Sequence, residues 1–212
     1  MTTTNADTSE TRQMQDDAFA LRNYGREMAR FKAKNTGAEV VIRYPRWEDL
    51  KQFHAYLNQV HQESLEEPMW FSTRPHDLPQ TSRRLAENLK KVEVAGHPFL
   101  FVEVEGQIVG QGWVWIGGPN FGADIGYLGL ELTKATRGMG IGTKLFEILE
   151  AESKNAGAVM IELTMASANR ACQLYERLGY KEVGRIPHAV MSNYGKEKWD
   201  DRADLVYMIK YL

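Results

Sequence analysis

Three closely spaced glycines constrain the fold of this chain more than any other feature. They lie in the run RGMGIGT from Arg137 to Thr143. The stretch before the run places Leu128, Leu130 and Leu132 at every second position, a spacing typical of a strand. The stretch after it carries apolar residues at helical spacing, at Ile141, Leu145, Ile148 and Leu149. The sequence therefore predicts a strand, a tight glycine turn and a helix in direct succession.

This succession predicts an anion site, best suited to a phosphate or diphosphate. The first N–H groups of a helix have no partner inside the helix, and the helix dipole adds positive charge there. Glycine lets a ligand approach the main chain and permits positive φ. The alternative is a helix start that tolerates glycines, but each glycine in a helix costs about 1 kcal/mol. Arg137 can add a charge-assisted hydrogen bond from the side.

The spacing of the glycines excludes the two commonest nucleotide motifs. The dinucleotide motif G-x-G-x-x-G requires glycine where Thr143 stands. The P-loop requires glycine followed by lysine, and Thr143 separates Gly142 from Lys144. The run instead resembles the acetyl-CoA signature Q/R-x-x-G-x-G/A of the GNAT superfamily of N-acetyltransferases.

A second segment, Thr164 to Tyr180 (TMASANRACQLYERLGY), supports the same resemblance. It is similar to the GNAT pattern L-T-V-x-x-x-N-x-R-A-x-x-L-Y-x-x-x-G-F, and it follows the glycine turn in the family's order. One position departs from the pattern, because Asn169 directly precedes Arg170 where the family leaves one residue between them. Asn169 either still contacts the cofactor or that contact is missing, and the alternative role is a helix N-cap formed by Ser167 or Asn169.

Residues 38–212 predict a mixed α+β sheet flanked by helices. The strands are expected at 40–43, 99–104, 108–116, 128–132, 159–165, 180–184 and 205–211, and the helices at 46–62, 80–95, 141–154 and 168–178. The resemblance implies the GNAT fold for this part, with about six or seven strands. Residues 1–37 are expected to be an extension with a mobile polar start and a helix from Thr11 to Ala33. That helix packs on its own domain or forms a contact with a partner, for example in a homodimer.

The resemblance implies acetyl-CoA as co-substrate, with its diphosphate on the glycine turn. It also implies that the pantetheine arm follows the preceding strand, where the main chain near Leu132 polarises the thioester carbonyl. The implied cofactor-binding residues are Leu130, Leu132, Thr133, Arg137, Gly138, Met139, Gly140, Ile141, Gly142, Thr143 and Asn169.

The implied reaction is direct attack of a primary amine on acetyl-CoA in a ternary complex. The amine is an amino acid, a small amine or a protein N-terminus. An amine with a pKa near 10.4 is neutral only about once in several thousand molecules at pH 7, so a carboxylate or a water held by one is needed as base. Glu162 and Glu131 are the candidate bases, and each has the alternative of being a solvated strand charge. Tyr175 matches the family tyrosine that protonates the leaving sulfur, and its alternative is a core position.

Two loops, 63–79 and 185–202, are expected to border the acceptor pocket. They carry acids and aromatic residues, which favours a cationic amine; an ordinary connection with buried aromatics is the alternative. The competing function is a non-catalytic module of the same fold that senses acyl-CoA or binds a partner. A longer acyl chain is a third hypothesis.

Composition limits the partners and the compartment. The net charge of −2 provides no field that would recruit nucleic acid or anionic lipid. The chain has one cysteine, Cys172, which excludes an internal disulfide framework, and the five histidines show no metal-binding spacing. The sequence shows no apolar stretch of membrane-spanning length and no signal peptide, so a soluble cytoplasmic protein without metal is expected.

Overall fold

The structure, a computed structural model, describes residues 23–64, 75–118, 121–169, 171–190 and 202–212. Within these residues the strands are β1 (Glu27–Lys32), β2 (Glu39–Arg43), β3 (Phe99–Val104), β4 (Gln107–Gly118), β5 (Phe121–Leu132), β6 (Met160–Ala166), β7 (Lys181–Val190) and β8 (Ala203–Tyr211). The α-helices are α1 (Leu50–Ser64), α2 (Leu78–Ala95), α3 (Ile141–Asn155) and α4 (Cys172–Arg177). None of the described helices is both long and apolar enough to cross a membrane.

All eight described strands form one mixed sheet in the order β1-β2-β3-β4-β5-β6-β8-β7. Neighbouring strands are antiparallel except β5 and β6, which are parallel and are joined through α3. The predicted α+β class is confirmed, and the sheet has one strand more than the six or seven expected. The additional strand is β1.

Helices cover both faces of the sheet. On one face α3 buries the predicted stripe of Ile141, Leu145, Ile148 and Leu149. A Cβ on Gly112 of β4 would lie 2.8 Å from Leu149, so a glycine allows α3 to approach the sheet closely. On the other face α1 places Phe53 against Phe99 and Phe101 of β3. The core therefore lies in two layers, one on each face of the sheet, and β5 is one of the central strands between them.

The helix predicted from Thr11 to Ala33 is wrong from Asn23 onward, because residues 23–25 form a turn and residues 27–32 form β1. The apolar spacing there also fits a half-buried edge strand, and pairing with β2 outweighs the weak helical pattern, with Phe31 opposite Val40. Arg30 strengthens this edge through ion pairs to Glu27 and Glu39. Residues 1–22 of the predicted extension lie outside the described residues. The domain boundary at residue 37 stays a prediction, although β1 precedes it and belongs to the sheet.

Other boundaries differ where local capping or pairing decides them. Helix α2 begins at Leu78 rather than near residue 80, because the side chain of Asp77 accepts a hydrogen bond from the Gln80 N–H and acts as N-cap. Strand β7 continues to Val190, so residues 185–190 of the predicted 185–202 loop are strand paired with β8. Residues 65–74 and 191–201, which hold most of the two predicted pocket loops, lie outside the described residues.

Candidate active site

The glycine run forms the predicted turn between β5 and α3. A short 3-10 turn at Lys134–Thr136 follows β5, and Gly138 and Gly140 then take left-handed φ angles of 77° and 80°. Gly140 occupies the N-cap position of α3 and has no side chain to cap the helix. The first N–H groups of α3 therefore receive no hydrogen bond from an N-cap side chain. Gly142 lies inside the first helical turn, where a Cβ would make only ordinary contacts of 3.4 Å to Leu174 and 3.8 Å to Leu132.

Strands β5 and β6 separate beside this turn. They pair only from Ile125 to Tyr127 on β5 and from Met160 to Glu162 on β6, although β5 continues to Leu132 and β6 to Ala166. The N–H of Thr133 donates to the Val109 carbonyl of β4 at 2.9 Å. Because successive peptide groups in a strand point to alternate sides, the N–H groups of Leu130 and Leu132 point away from β4 into the opening.

The segment between β1 and β2 also contacts the glycine turn. The N–H of Lys34 donates to the Met139 carbonyl at 3.1 Å, and a Cβ on Gly140 would lie 3.1 Å from Cδ of Lys34. The predicted Arg137 is exposed at the start of the glycine run, directly after the 3-10 turn, and Thr143 is half-buried in the first turn of α3. Thr133 is buried and its hydroxyl lies 3.1 Å from that of Thr136.

Glu131 is a buried carboxyl on the face of the sheet covered by α1. Its side chain is 4% exposed, and its Oε2 accepts hydrogen bonds from Tyr56 Oη at 3.1 Å and from Gln111 Nε2 at 2.8 Å. Its Oε1 has no hydrogen-bond partner among the described residues. Burial raises the pKa of Glu131, and the hydrogen bond from Gln111 opposes part of that rise. A carboxyl with such a pKa lies closer to the range useful for proton transfer near neutral pH.

Glu162, the second candidate base, lies on the same face but further along the sheet. It is half-buried, burial raises its pKa, and it stands opposite Tyr127 of β5. Tyr127 and Glu131 are four residues apart on one strand, which corresponds to roughly 13 Å. Glu131 and Glu162 are therefore too far apart for both to contact the same nitrogen. Only one of the two carboxylates can therefore act as the base for a given amine.

Tyr175 packs in the core where α3, α4 and the segment before β7 meet. Its ring centroid lies 5.3 Å from that of Phe146 and 6.3 Å from that of Tyr180. Burial raises the pKa of Tyr175 to about 12, with a smaller rise from the nearby Tyr127. The phenol therefore stays protonated at neutral pH, as a proton donor must, and its core position agrees with the alternative stated for it.

The side chain of Asn169 is used at the start of α4. Its Oδ1 accepts a hydrogen bond from the Ala171 N–H at 2.9 Å. This bond closes an Asx turn just before α4, which begins at Cys172 rather than at the expected residue 168; the N-cap residue of α4 is Ala171, and it receives no side-chain capping bond. Ser167 does not act as the N-cap either, because its hydroxyl accepts a hydrogen bond from the Asp204 N–H. A contact between Asn169 and the cofactor stays a prediction.

Polar residues of α1, α2 and β4 lie near Glu131, and no sequence motif indicated them. Tyr56 and Gln111, which hold Glu131, come from a helix and a strand that are distant in sequence. Arg84 of α2 lies over the ring of Phe53, with its Cζ 5.8 Å from the ring centroid. Burial lowers the pKa of His76, and the charges of Arg84, His61 and His54 lower it further. Within the described residues, no group of three or more His, Cys, Asp or Glu is arranged to hold a metal ion.

Comparisons with solved structures agree with this fold. The putative acetyltransferase yncA of Salmonella typhimurium, solved with acetyl-CoA, is 23% identical, and the match covers 82% of this chain and 94% of that one with a TM-score of 0.66. The ribosomal-protein-alanine N-acetyltransferase of Brucella melitensis is 24% identical, covering 81% and 99% with a TM-score of 0.64. The ribosomal-protein-S5-alanine acetyltransferase of Vibrio fischeri is 17% identical, covering 87% and 97% with a TM-score of 0.68. At these identities the likeness concerns the fold.

The family assignment comes from the sequence itself. A comparison with curated proteins finds no match. The model of the acetyltransferase (GNAT) family matches residues 57–180, which is more than half of the 212-residue chain and includes the glycine turn, the β5–β6 opening and Tyr175. The chain therefore belongs to the acetyltransferase (GNAT) family, a family of acyltransferases.

Proposed function

We propose that this protein transfers an acetyl group from acetyl-CoA to a primary amine by direct attack in a ternary complex. The observation that carries the proposal is the opening between β5 and β6, which has the start of α3 at one end and is bordered by the part of β5 that carries the buried carboxyl Glu131. The acetyl-CoA in the Salmonella typhimurium structure supports the donor. The names of the ribosomal-protein acetyltransferases support a protein N-terminus as one acceptor class, beside amino acids and small amines.

The residues of the opening fit a coenzyme A ligand. Gly138 and Gly140 expose the main chain at the turn, and the N–H groups at the start of α3 suit a diphosphate. The N–H groups of Leu130 and Leu132 are directed to the side where a pantetheine amide and a thioester carbonyl would lie. Arg137 adds a cation at the start of the glycine run. The donor thioester supplies the acyl group and a thiolate leaving group with a pKa near that of cysteine, about 8.5.

Glu131 is our choice of general base. Its Oε1 has no hydrogen-bond partner in the part of the chain that the structure describes, whereas Tyr56 and Gln111 fix its Oε2. The amine nitrogen forms a bond to the carbonyl carbon, and the carbon–sulfur bond breaks. One amine proton goes to Glu131, directly or through a water. The sulfur leaves as a thiolate that accepts a hydrogen bond from the Tyr175 hydroxyl and then takes its proton from solvent, because the phenol has the higher pKa of the two. A main-chain N–H near Leu132 stabilises the developing oxyanion.

A thiol-release screen with acetyl-CoA tests this function across free amino acids, polyamines and N-terminal peptides. We expect release that depends on one of these amines, with kcat reduced at least about 100-fold in Glu131→Gln, within the range of a lost general base. Glu162→Gln is the matched comparison, and we expect a few-fold change at most. If Glu162→Gln abolishes transfer and Glu131→Gln does not, the base is Glu162.

The competing function, an acyl-CoA sensor, has one observation in its favour. The Oδ1 of Asn169 is already engaged by the Ala171 N–H. Calorimetric titration with acetyl-CoA separates the two functions when it is run beside the screen. Tight binding without release for any amine would favour the sensor, and amine-dependent release would exclude it.

A further inference from the structure

Arg84 of α2 is a cation without a carboxylate partner among the described residues. It is half-buried on α2, and its guanidinium lies over the ring of Phe53, with Cζ 5.8 Å from the centroid. Its side chain makes no hydrogen bond or ion pair with any described residue. Arginine has five donors in a planar fork that matches a carboxylate, and a half-buried guanidinium gains from such a partner. Its position therefore indicates an anionic ligand.

A short chain of contacts connects Arg84 to the reactive carboxyl. Phe53, beneath the guanidinium, stacks on Tyr56 with ring centroids 6.4 Å apart and planes at 16°. The Tyr56 hydroxyl in turn contacts Glu131. The positive charge of Arg84 also acts on both ionisable groups, since it lowers the pKa of Tyr56 and of Glu131 against the rise caused by burial. Arg84 is thus near Glu131 without bonding to it.

Glu131 and Arg84 present complementary ends to one small molecule. The free Oε1 of Glu131 is suited to the proton of an amine, and the fork of Arg84 is suited to a carboxylate. We infer that Arg84 binds a carboxylate of the acceptor, so the acceptor is an amine that also carries a carboxylate, as a free amino acid does. This inference rests on the proposed function and narrows it. It also reverses the expectation of a purely cationic amine, which was based on loop residues.

A purely electrostatic role for Arg84 would give a different result. If the arginine only holds Glu131 ionised, its loss raises the pKa of that carboxyl for every acceptor. The effect would then be a lower kcat/KM with an acid limb at higher pH, whatever groups the amine carries. If Arg84 binds a carboxylate, the effect is a higher KM for carboxylate-bearing acceptors alone. Paired acceptors separate the two roles.

The experiment measures thiol release with an amino acid and with its amide, for the wild type, Arg84→Gln and Arg84→Lys. The amino acid is the best one from the amine screen. We expect Arg84→Gln to raise KM for the amino acid at least tenfold and to change KM for the amide less than twofold. Arg84→Lys, which keeps the charge but not the fork, should fall between wild type and Arg84→Gln. Arg83→Gln removes an exposed arginine one position earlier and should leave both KM values unchanged.

Other outcomes overturn the inference. Equal losses for amino acid and amide, together with a shifted pH profile, would assign Arg84 to Glu131 instead. Unchanged kinetics with both acceptors, or a wild type that prefers the amide or an N-terminal peptide, would leave the acetyltransferase intact and refute carboxylate binding. If none of the tested amines causes thiol release, the proposed function is refuted and this inference with it. Thermal unfolding and acetyl-CoA titration of each variant confirm that the fold and the donor site survive.

Discussion

Replacing Gly140 and Gly142 separately by alanine tests the geometry of the turn, because the two glycines differ in conformation. At Gly140 the φ of 80° is left-handed, and an L side chain there costs about 1–2 kcal/mol. The new Cβ would also lie 3.1 Å from Cδ of Lys34, which has to move. At Gly142 the main chain is helical and the nearest side chain is 3.4 Å away, so alanine gains up to about 1 kcal/mol of helix propensity.

The two variants should therefore differ by roughly 2–3 kcal/mol in the free energy of unfolding. Urea unfolding followed by circular dichroism measures this difference. With a slope of about 2–3 kcal/mol per M, the midpoints should be separated by roughly 1 M, with Gly140→Ala below wild type and Gly142→Ala at or above it. Equal midpoints, or a less stable Gly142→Ala, would refute the conformations assigned to the turn.

Three further expectations follow from contacts near the site and in the core. Tyr56→Phe removes a hydrogen bond that lowers the pKa of Glu131, so the acid limb of the kcat/KM profile should move to higher pH. The rate at high pH should change little, and an unmoved acid limb would exclude Glu131 as the base. Asp49→Ala breaks a buried ion pair with Arg43 and should lower the free energy of unfolding by about 3 kcal/mol, the low end for such pairs because Arg43 keeps Glu103 as a second partner. Denaturant unfolding measures this loss, and a value below about 1 kcal/mol would contradict the pairing. Asn169→Ala should cost about 1 kcal/mol through the lost hydrogen bond from the Ala171 N–H, with an unchanged acetyl-CoA Kd. A large rise in Kd would show a cofactor contact.

The parts of the fold that depend on local sequence could be predicted. The glycine turn, the buried stripe of α3 and the alternation in β6 are set by residues within one or two turns or strands, and the structure places them as expected. Strand β1 could not be predicted in this way. Its spacing fits both a helix and an edge strand, and only pairing with β2 decides between them.

The same distinction between local sequence and tertiary packing applies to the residues of the candidate site. The glycines and Tyr175 belong to continuous motifs: the glycine turn was predicted as an anion site from its own residues, and the resemblance indicated Tyr175. Arg84 and Tyr56 belong to no motif, and only the packing of α1 and α2 on the sheet brings them near Glu131. The hydrogen bond that Asn169 accepts from the Ala171 N–H depends on the local path before α4, which the sequence did not specify.

The central claim is that coenzyme A binds across the β5–β6 opening with its diphosphate on the start of α3. A crystal structure of the complex with coenzyme A measures this directly. We expect diphosphate oxygens about 2.7–3.2 Å from main-chain nitrogens of residues 138–143. We also expect the pantetheine arm along Leu130 and Leu132. A diphosphate held by side chains alone, or a coenzyme bound at another surface, would contradict the claim.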